Sequence, residues 1–142
     1  HPENSHVLPA LIRRFHEAAE EGREEVVIWG TGTPRREFLH VDDMAEIFAR
    51  VLMADEPNHE IYNSGGNTMS MGELADLVRE FLPEADITFK HEVGGKARSG
   101  NYLIDNTRLV EEFGVQFPPF RDRVRQTIND VRQTHGLPLV DQ

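Results

Sequence analysis

Trp29-Gly30-Thr31-Gly32-Thr33-Pro34-Arg35-Arg36-Glu37-Phe38-Leu39-His40-Val41-Asp42-Asp43-Met44-Ala45 packs several changes of backbone state into one run. Its glycines and threonines read as a tight turn. Phe38 to Val41 reads as a short apolar strand. A helix then starts at Asp42 and Asp43, whose carboxylates suit a helix N-terminus. Just upstream, the β-branched run Val26-Val27-Ile28-Trp29 ends at Gly30, as a strand does. Arg35 and Arg36 follow the turn directly. Guanidinium forks match phosphate oxygens in charge and geometry, so the pair suits a diphosphate; the alternative is two solvated charges. The glycines themselves are not a dinucleotide fingerprint, because the third glycine is absent and no long helix follows at once. Trp29 is the only Trp. At a strand end it serves either the core or a stacking surface for a base or sugar.

Outward from this stretch, strand and helix patterns alternate, which places the chain in the α/β class. Residues 8–21 carry Leu8, Leu11, Ile12, Phe15 and Ala19 on one helical face, with Pro9 in the first turn. Met44, Ile47, Phe48, Val51 and Leu52 form a second stripe. Glu60 to Asn63 reads as a strand stopped by Ser64-Gly65-Gly66. Ser70-Met71-Gly72-Glu73 is a capping box that opens a helix through Leu74, Leu77, Val78 and Phe81. Ile87, Thr88 and Phe89 make a further strand, and residues 92–101 a loop. Asp105 to Phe113 is a short helix stopped by Gly114. The last helix runs from Phe120 to about His135, with Val124, Ile128 and Val131 on one face. The strands are few and short, and read as contributions to a larger sheet.

With 142 residues the chain is long enough for one domain with its own core, and residues 1–142 are read as a single unit. A net charge of −10 argues against a nucleic-acid groove or an anionic membrane surface as partner. Any anion site must therefore be built locally from a few arginines. Cysteine is absent, which removes thiolate metal sites and cysteine nucleophiles and fits a reducing cytoplasm. Apolar runs are too short to span a bilayer. His40-x-Asp42-Asp43 is a poor metal set, since helix capping accounts for the aspartates. Asn4-Ser5-His6 before a helix reads as an N-cap or, through His6, as a proton donor whose pKa lies near neutral. Lys96 and Arg98 in a Gly-rich loop are either a clamp on an anion or solvated charges. Tyr-x-x-x-Lys, P-loop, HExxH and GxSxG patterns are all missing.

Asn4-Ser5-His6-Val7-Leu8-Pro9-Ala10-Leu11-Ile12-Arg13-Arg14-Phe15-His16-Glu17-Ala18, together with Trp29 to Ala45, resembles the C-terminal half of the GDP-L-fucose synthases. These are epimerase/reductases of the extended short-chain dehydrogenase (NAD-dependent epimerase/dehydratase) family. The resemblance implies the substrate-binding portion of such an enzyme, lacking the N-terminal Rossmann half. That other half would carry NADP, which supplies the hydride, and the catalytic Ser, Tyr and Lys. It further implies a nucleotide-sugar substrate and a homodimeric parent whose dimer helices lie mainly in the missing half. Alone, the chain would bind no cofactor and turn nothing over. Residue by residue, His6 matches the family's acid or positioning histidine. Val7 and Leu8 match backbone near the base, and Arg14 a basic residue near the diphosphate. Trp29 matches an aromatic of the nucleotide-sugar pocket, and Arg36 the arginine that grips the diphosphate. Lys96 and Arg98 fall where the family has another basic contact. The segment between Leu52 and Tyr62 is shorter than in the fucose synthases and fits other nucleotide-sugar epimerases and dehydratases. Those enzymes, or a non-catalytic nucleotide-sugar-binding module, are the alternative readings.

Overall fold

A computed structural model describes residues 6–83, 86–90 and 103–141. The loop expected over 92–101, with Lys96 and Arg98, and the cap residues Asn4 and Ser5 lie outside the described residues. Helix α1 (Val7–Glu20) begins after His6, whose backbone is extended. Leu11, Ile12, Phe15 and Ala18 are its buried face; Ala19, expected inward, is exposed because Ala18 takes the turn that meets the core. Strand β1 (Glu25–Trp29) pairs in parallel with β4 (Asp86–Lys90), from Glu25 opposite Asp86 to Trp29 opposite Lys90.

Strand β2 (Arg35–Phe38) pairs antiparallel with β3 (Asn67–Ser70), Arg35 opposite Ser70 and Phe38 opposite Asn67. Both differ from expectation. The strand expected over Phe38–Val41 sits earlier, because the backbone must leave it for His40 to cap the next helix. The strand expected over Glu60–Asn63 belongs to no sheet; residues 61–66 form neither helix nor strand. A lone β-prone run cannot hold strand geometry without a neighbouring edge. At Gly66 the chain comes so close to β2 that a Cβ would stand 2.6 Å from the Phe38 carbonyl oxygen.

Helix α2 (Val41–Leu52) is capped by His40, whose Nδ1 accepts from the Asp42 amide at 3.2 Å. The apolar stripe expected to enter a core along this helix is split. Ile47 is buried and Val51 half-buried, whereas Phe48 is 59% and Leu52 80% exposed. Helix α3 (Met71–Phe81) starts at the expected capping box: Ser70 Oγ accepts from Glu73 N at 3.1 Å, and the Glu73 carboxylate from Ser70 N at 2.7 Å. Helices α4 (Thr107–Phe113), ended by Gly114, and α5 (Phe120–Thr134) complete the described order.

The main core joins Ile12 and Phe15 of α1, Val26 of β1, Leu74 and Val78 of α3, and Val124 and Ile128 of α5. Phe38 of β2 stacks on Phe120 of α5 with ring centroids 5.9 Å apart, tying the β2–β3 pair to this core. A second cluster gathers Ile47, Leu109 and Val115 with Tyr62 and Phe113 around them. Among the described residues no helix is long and apolar enough to cross a membrane.

Candidate nucleotide-sugar site

The turn between β1 and β2 is held by its glycines and by α3. Gly30 and Gly32 have φ of 105° and 73°, a region that favours glycine. The Gly32 carbonyl accepts from Gly72 N at 2.8 Å and that of Pro34 from Met71 N at 3.1 Å. The first turn of α3 thereby clamps this loop and fixes where the two arginines emerge. They then point to different work. Arg35 donates to the Thr68 carbonyl at 2.9 Å and pairs with Glu73 at 3.1 Å. Those bonds from Ser70 N and Arg35 hold the Glu73 carboxyl below its ordinary pKa. Arg36 is exposed and donates only to the Arg35 carbonyl, at 2.7 Å. Among the described residues it pairs with no carboxylate, so most of its fork remains open to a ligand.

Two cavities flank the first turn of α1. The larger, about 670 Å³, lies between that turn, β2, the start of α2 and α5, and His6, Val7, Leu8 and Arg36 all line it. The smaller, about 300 Å³, is lined by Val7, Ala10, Arg14, Ile28, Trp29 and Met71. Val7 lines both. Both volumes suit small-molecule pockets. Trp29 is 62% exposed, so it belongs to the cavity wall and not to the core. Arg14 is half-buried and donates from Nη1 to the Val27 carbonyl at 3.0 Å, which fixes its guanidinium beside the smaller cavity without neutralising it. His6 is exposed at the rim and makes no side-chain cap bond to α1.

Other lining groups carried no mark in the sequence. Glu37 lines the larger cavity, and its Oε2 is buried without a partner among the described residues. Such an oxygen is an acceptor that a hydroxyl or amide entering the cavity would satisfy. Arg123 of α5 pairs with the buried Asp43, its Nε lying 3.1 and 3.2 Å from the two carboxylate oxygens. These bonds raise the Arg123 pKa above its ordinary value against the opposing effect of burial. Gln126 accepts from Arg123 at 2.8 Å and donates to Asp42 at 2.9 Å. Asp42 and Asp43, expected as caps, thus anchor α2 to α5, while His40 supplies the side-chain cap. The pairing spans 80 residues, a separation at which no local pattern signals it. Among the described residues no group of three or more His, Cys, Asp or Glu could hold a metal ion.

A dinucleotide does not fit the glycine turn. It leads into strand β2 and not into a helix, and the first α3 amides that meet it, Met71 N and Gly72 N, are taken by the Pro34 and Gly32 carbonyls. The arrangement instead offers two partly open guanidiniums, an exposed aromatic face and an imidazole along one strip of surface.

Residues 1–65 match the NAD dependent epimerase/dehydratase family. GDP-L-fucose synthase 1 of Arabidopsis thaliana is 55% identical over 82 residues, 58% of this chain and 25% of its own length. The GDP-L-fucose synthase of Escherichia coli strain K12 is 58% identical over 62 residues, 44% of this chain and 18% of its own. A crystal structure of a GDP-L-fucose synthetase from Naegleria fowleri superposes with a TM-score of 0.74 at 21% identity, covering 96% of this chain and 42% of that one. The same synthetase bound to NADP gives 0.69 at 22% identity, covering 94% and 41%. The fold is thus that of part of an extended short-chain dehydrogenase. The family match over residues 1–65 and the similarity to these relatives are consistent with a fragment of that family. The chain spans about a quarter of the length of the first curated relatives it matches.

Proposed function

We propose that residues 1–142 form one nucleotide-sugar-binding unit, the substrate-binding half of an NADP-dependent epimerase/reductase of the GDP-L-fucose synthase type. The observation that carries this reading is the convergence of His6, Val7, Leu8 and Arg36 on one cavity and of Val7, Arg14 and Trp29 on the adjoining one. In this reading Arg36 and Arg14 hold the diphosphate from two sides of the α1 start, and Trp29 and Val7 form an apolar wall for the nucleoside. Charge-assisted bonds from planar forks are the strongest neutral-pH grip on such a group. His6, at the far cavity rim, stands where a proton is exchanged next to the sugar's keto carbon. Binding energy gathered at the diphosphate positions the sugar, away from the bonds that react. Lys96 and Arg98 are proposed to add basic contacts from their loop. NADP, the catalytic Ser, Tyr and Lys and the homodimer contacts belong to the preceding Rossmann half, in the cytoplasm, so the chain alone has no turnover.

Calorimetry with GDP and GDP-mannose tests the grip. The chain should give a weak, saturable heat, and Arg36→Ala should weaken binding by about tenfold or more. Equal heats from the chain and the variant would remove Arg36 from the site.

A further inference from the structure

Met71 opens helix α3 with a pinned backbone. Its amide donates to the Pro34 carbonyl at 3.1 Å, and that of Gly72 to the Gly32 carbonyl at 2.8 Å. The apolar residues that follow it on the helix, Leu74, Leu77, Val78 and Phe81, all enter the main core. Met71 does not. It is half-buried and, among the described residues, packs with neither hydrophobic cluster. It lines the smaller cavity instead, together with Ile28 and Trp29 from the end of β1. Val7, Ala10 and Arg14 line that cavity from one face of α1, at the three- and four-residue spacing of a helix. Arg14 is the one charged side chain among these, and its Nη1 already donates to the Val27 carbonyl. The rest of the wall is apolar, which suits the face of a flat ring. A thioether on an unbranched, flexible chain adapts its shape to such a face and is polarisable enough to attract it.

We propose that Met71 is a specificity-determining residue of the nucleotide-sugar site, its thioether packing on the face of the nucleobase in the smaller cavity. This deepens the proposed function and rests on its placing of the nucleoside beside Trp29 and Val7. Trp29 and Ile28 bound the base from β1, and Met71 bounds it from α3. The Met71 amide is bonded to the same turn from which Arg36 emerges. One pinned helix start therefore holds the wall for the base and the grip on the diphosphate in fixed relation. A diphosphate without a base meets Arg36 and leaves Met71 untouched.

Isotope-labelled methionine methyl groups read this contact by nuclear magnetic resonance without any substitution. The chain has four methionines, and Met53, 84% exposed just after α2, is the internal control. Met71→Leu, in which one signal disappears, identifies the Met71 methyl. GDP should move that signal upfield through the ring current of the base, along the same saturation curve as the Trp29 indole. Inorganic diphosphate at the same concentrations should leave it in place, and neither ligand should move Met53. In calorimetry, Met71→Ala should weaken GDP binding by about tenfold, whereas Met71→Leu, of like volume, should stay within about twofold. A Met71 methyl that stays in place while the Trp29 indole moves would overturn this assignment and leave the nucleotide reading standing. So would unchanged GDP affinity in Met71→Ala. Movement with inorganic diphosphate as large as with GDP would also overturn it, since the residue would then respond to the turn at Arg36 and not to a base. If neither the Met71 methyl nor the Trp29 indole moves with GDP, the assignment and the proposed function fail together.

Discussion

Arg35 and Arg36 are neighbours with opposite fates, and alternation along β2 is the reason. Arg35 falls on the face toward Thr68 and Glu73, where the fold consumes its donors; Arg36 falls on the other, beside the larger cavity. The residues alone left the pair undivided, with a strand boundary placed three residues too late, and only the resemblance singled out Arg36. Glu37 shows the reverse case, a residue the sequence passed over whose carboxylate oxygen lies buried and unpartnered. Glu37→Gln should raise the unfolding free energy of the ligand-free chain by about 1 kcal/mol, since a buried unpaired carboxylate oxygen is destabilising. The same variant should weaken binding of the sugar nucleotide, so urea melts and calorimetry on one sample check both halves. Asp43→Ala removes the partner of Arg123 and should cost about 3 kcal/mol in the same melts, the low end for breaking a buried ion pair because the Arg123 side chain remains 18% exposed.

Elements differ in how openly the sequence declares them. Helix α3 was legible because its start signal is local: Ser70 and Glu73 bond each other's backbone amides within one turn. Strand β3 and the true place of β2 were not, since a strand's bounds depend on a partner far away in sequence. Glu73 and Glu112 also make the fold acid-sensitive. The bonds from Ser70 and Arg35 hold the Glu73 carboxyl below its ordinary 4.5. Burial pushes Glu112 up, but bonds from the Asn58 amide at 2.7 Å and the Tyr62 hydroxyl at 2.7 Å outweigh it, and its pKa is lowered too. A carboxylate with a depressed folded pKa stabilises above its unfolded value and loses that contribution as pH falls through the folded one. Stability should therefore decline once pH drops below 4.5. Glu73→Gln keeps a capping-box side chain but loses the charge paired with Arg35, so its urea midpoint should lie below that of the unaltered chain near neutrality and fall less steeply in acid. Gly66→Ala would drive a Cβ to 2.6 Å from the Phe38 carbonyl oxygen. It should part β3 from β2 at a cost of about 1–3 kcal/mol, seen as a lowered melting temperature.

At the scale of the molecule, the described residues form two two-stranded sheets and a helix, α2, with exposed apolar side chains. The α/β class and the family were legible from the alternation of elements and from the residues around His6 and Arg36. The site's second wall was not, because α5 meets it through contacts formed only in three dimensions. In the proposed function the two cavities beside α1 act together, with Arg36 gripping the diphosphate and Trp29 lining the nucleoside wall. The sole indole of the chain reports on it directly in a nuclear magnetic resonance titration with GDP-mannose. The Trp29 indole N–H signal should move and saturate in the unaltered chain and stay in place in Arg36→Ala over the same concentrations. A signal that stays in place in the unaltered chain, or moves equally in the variant, would contradict it.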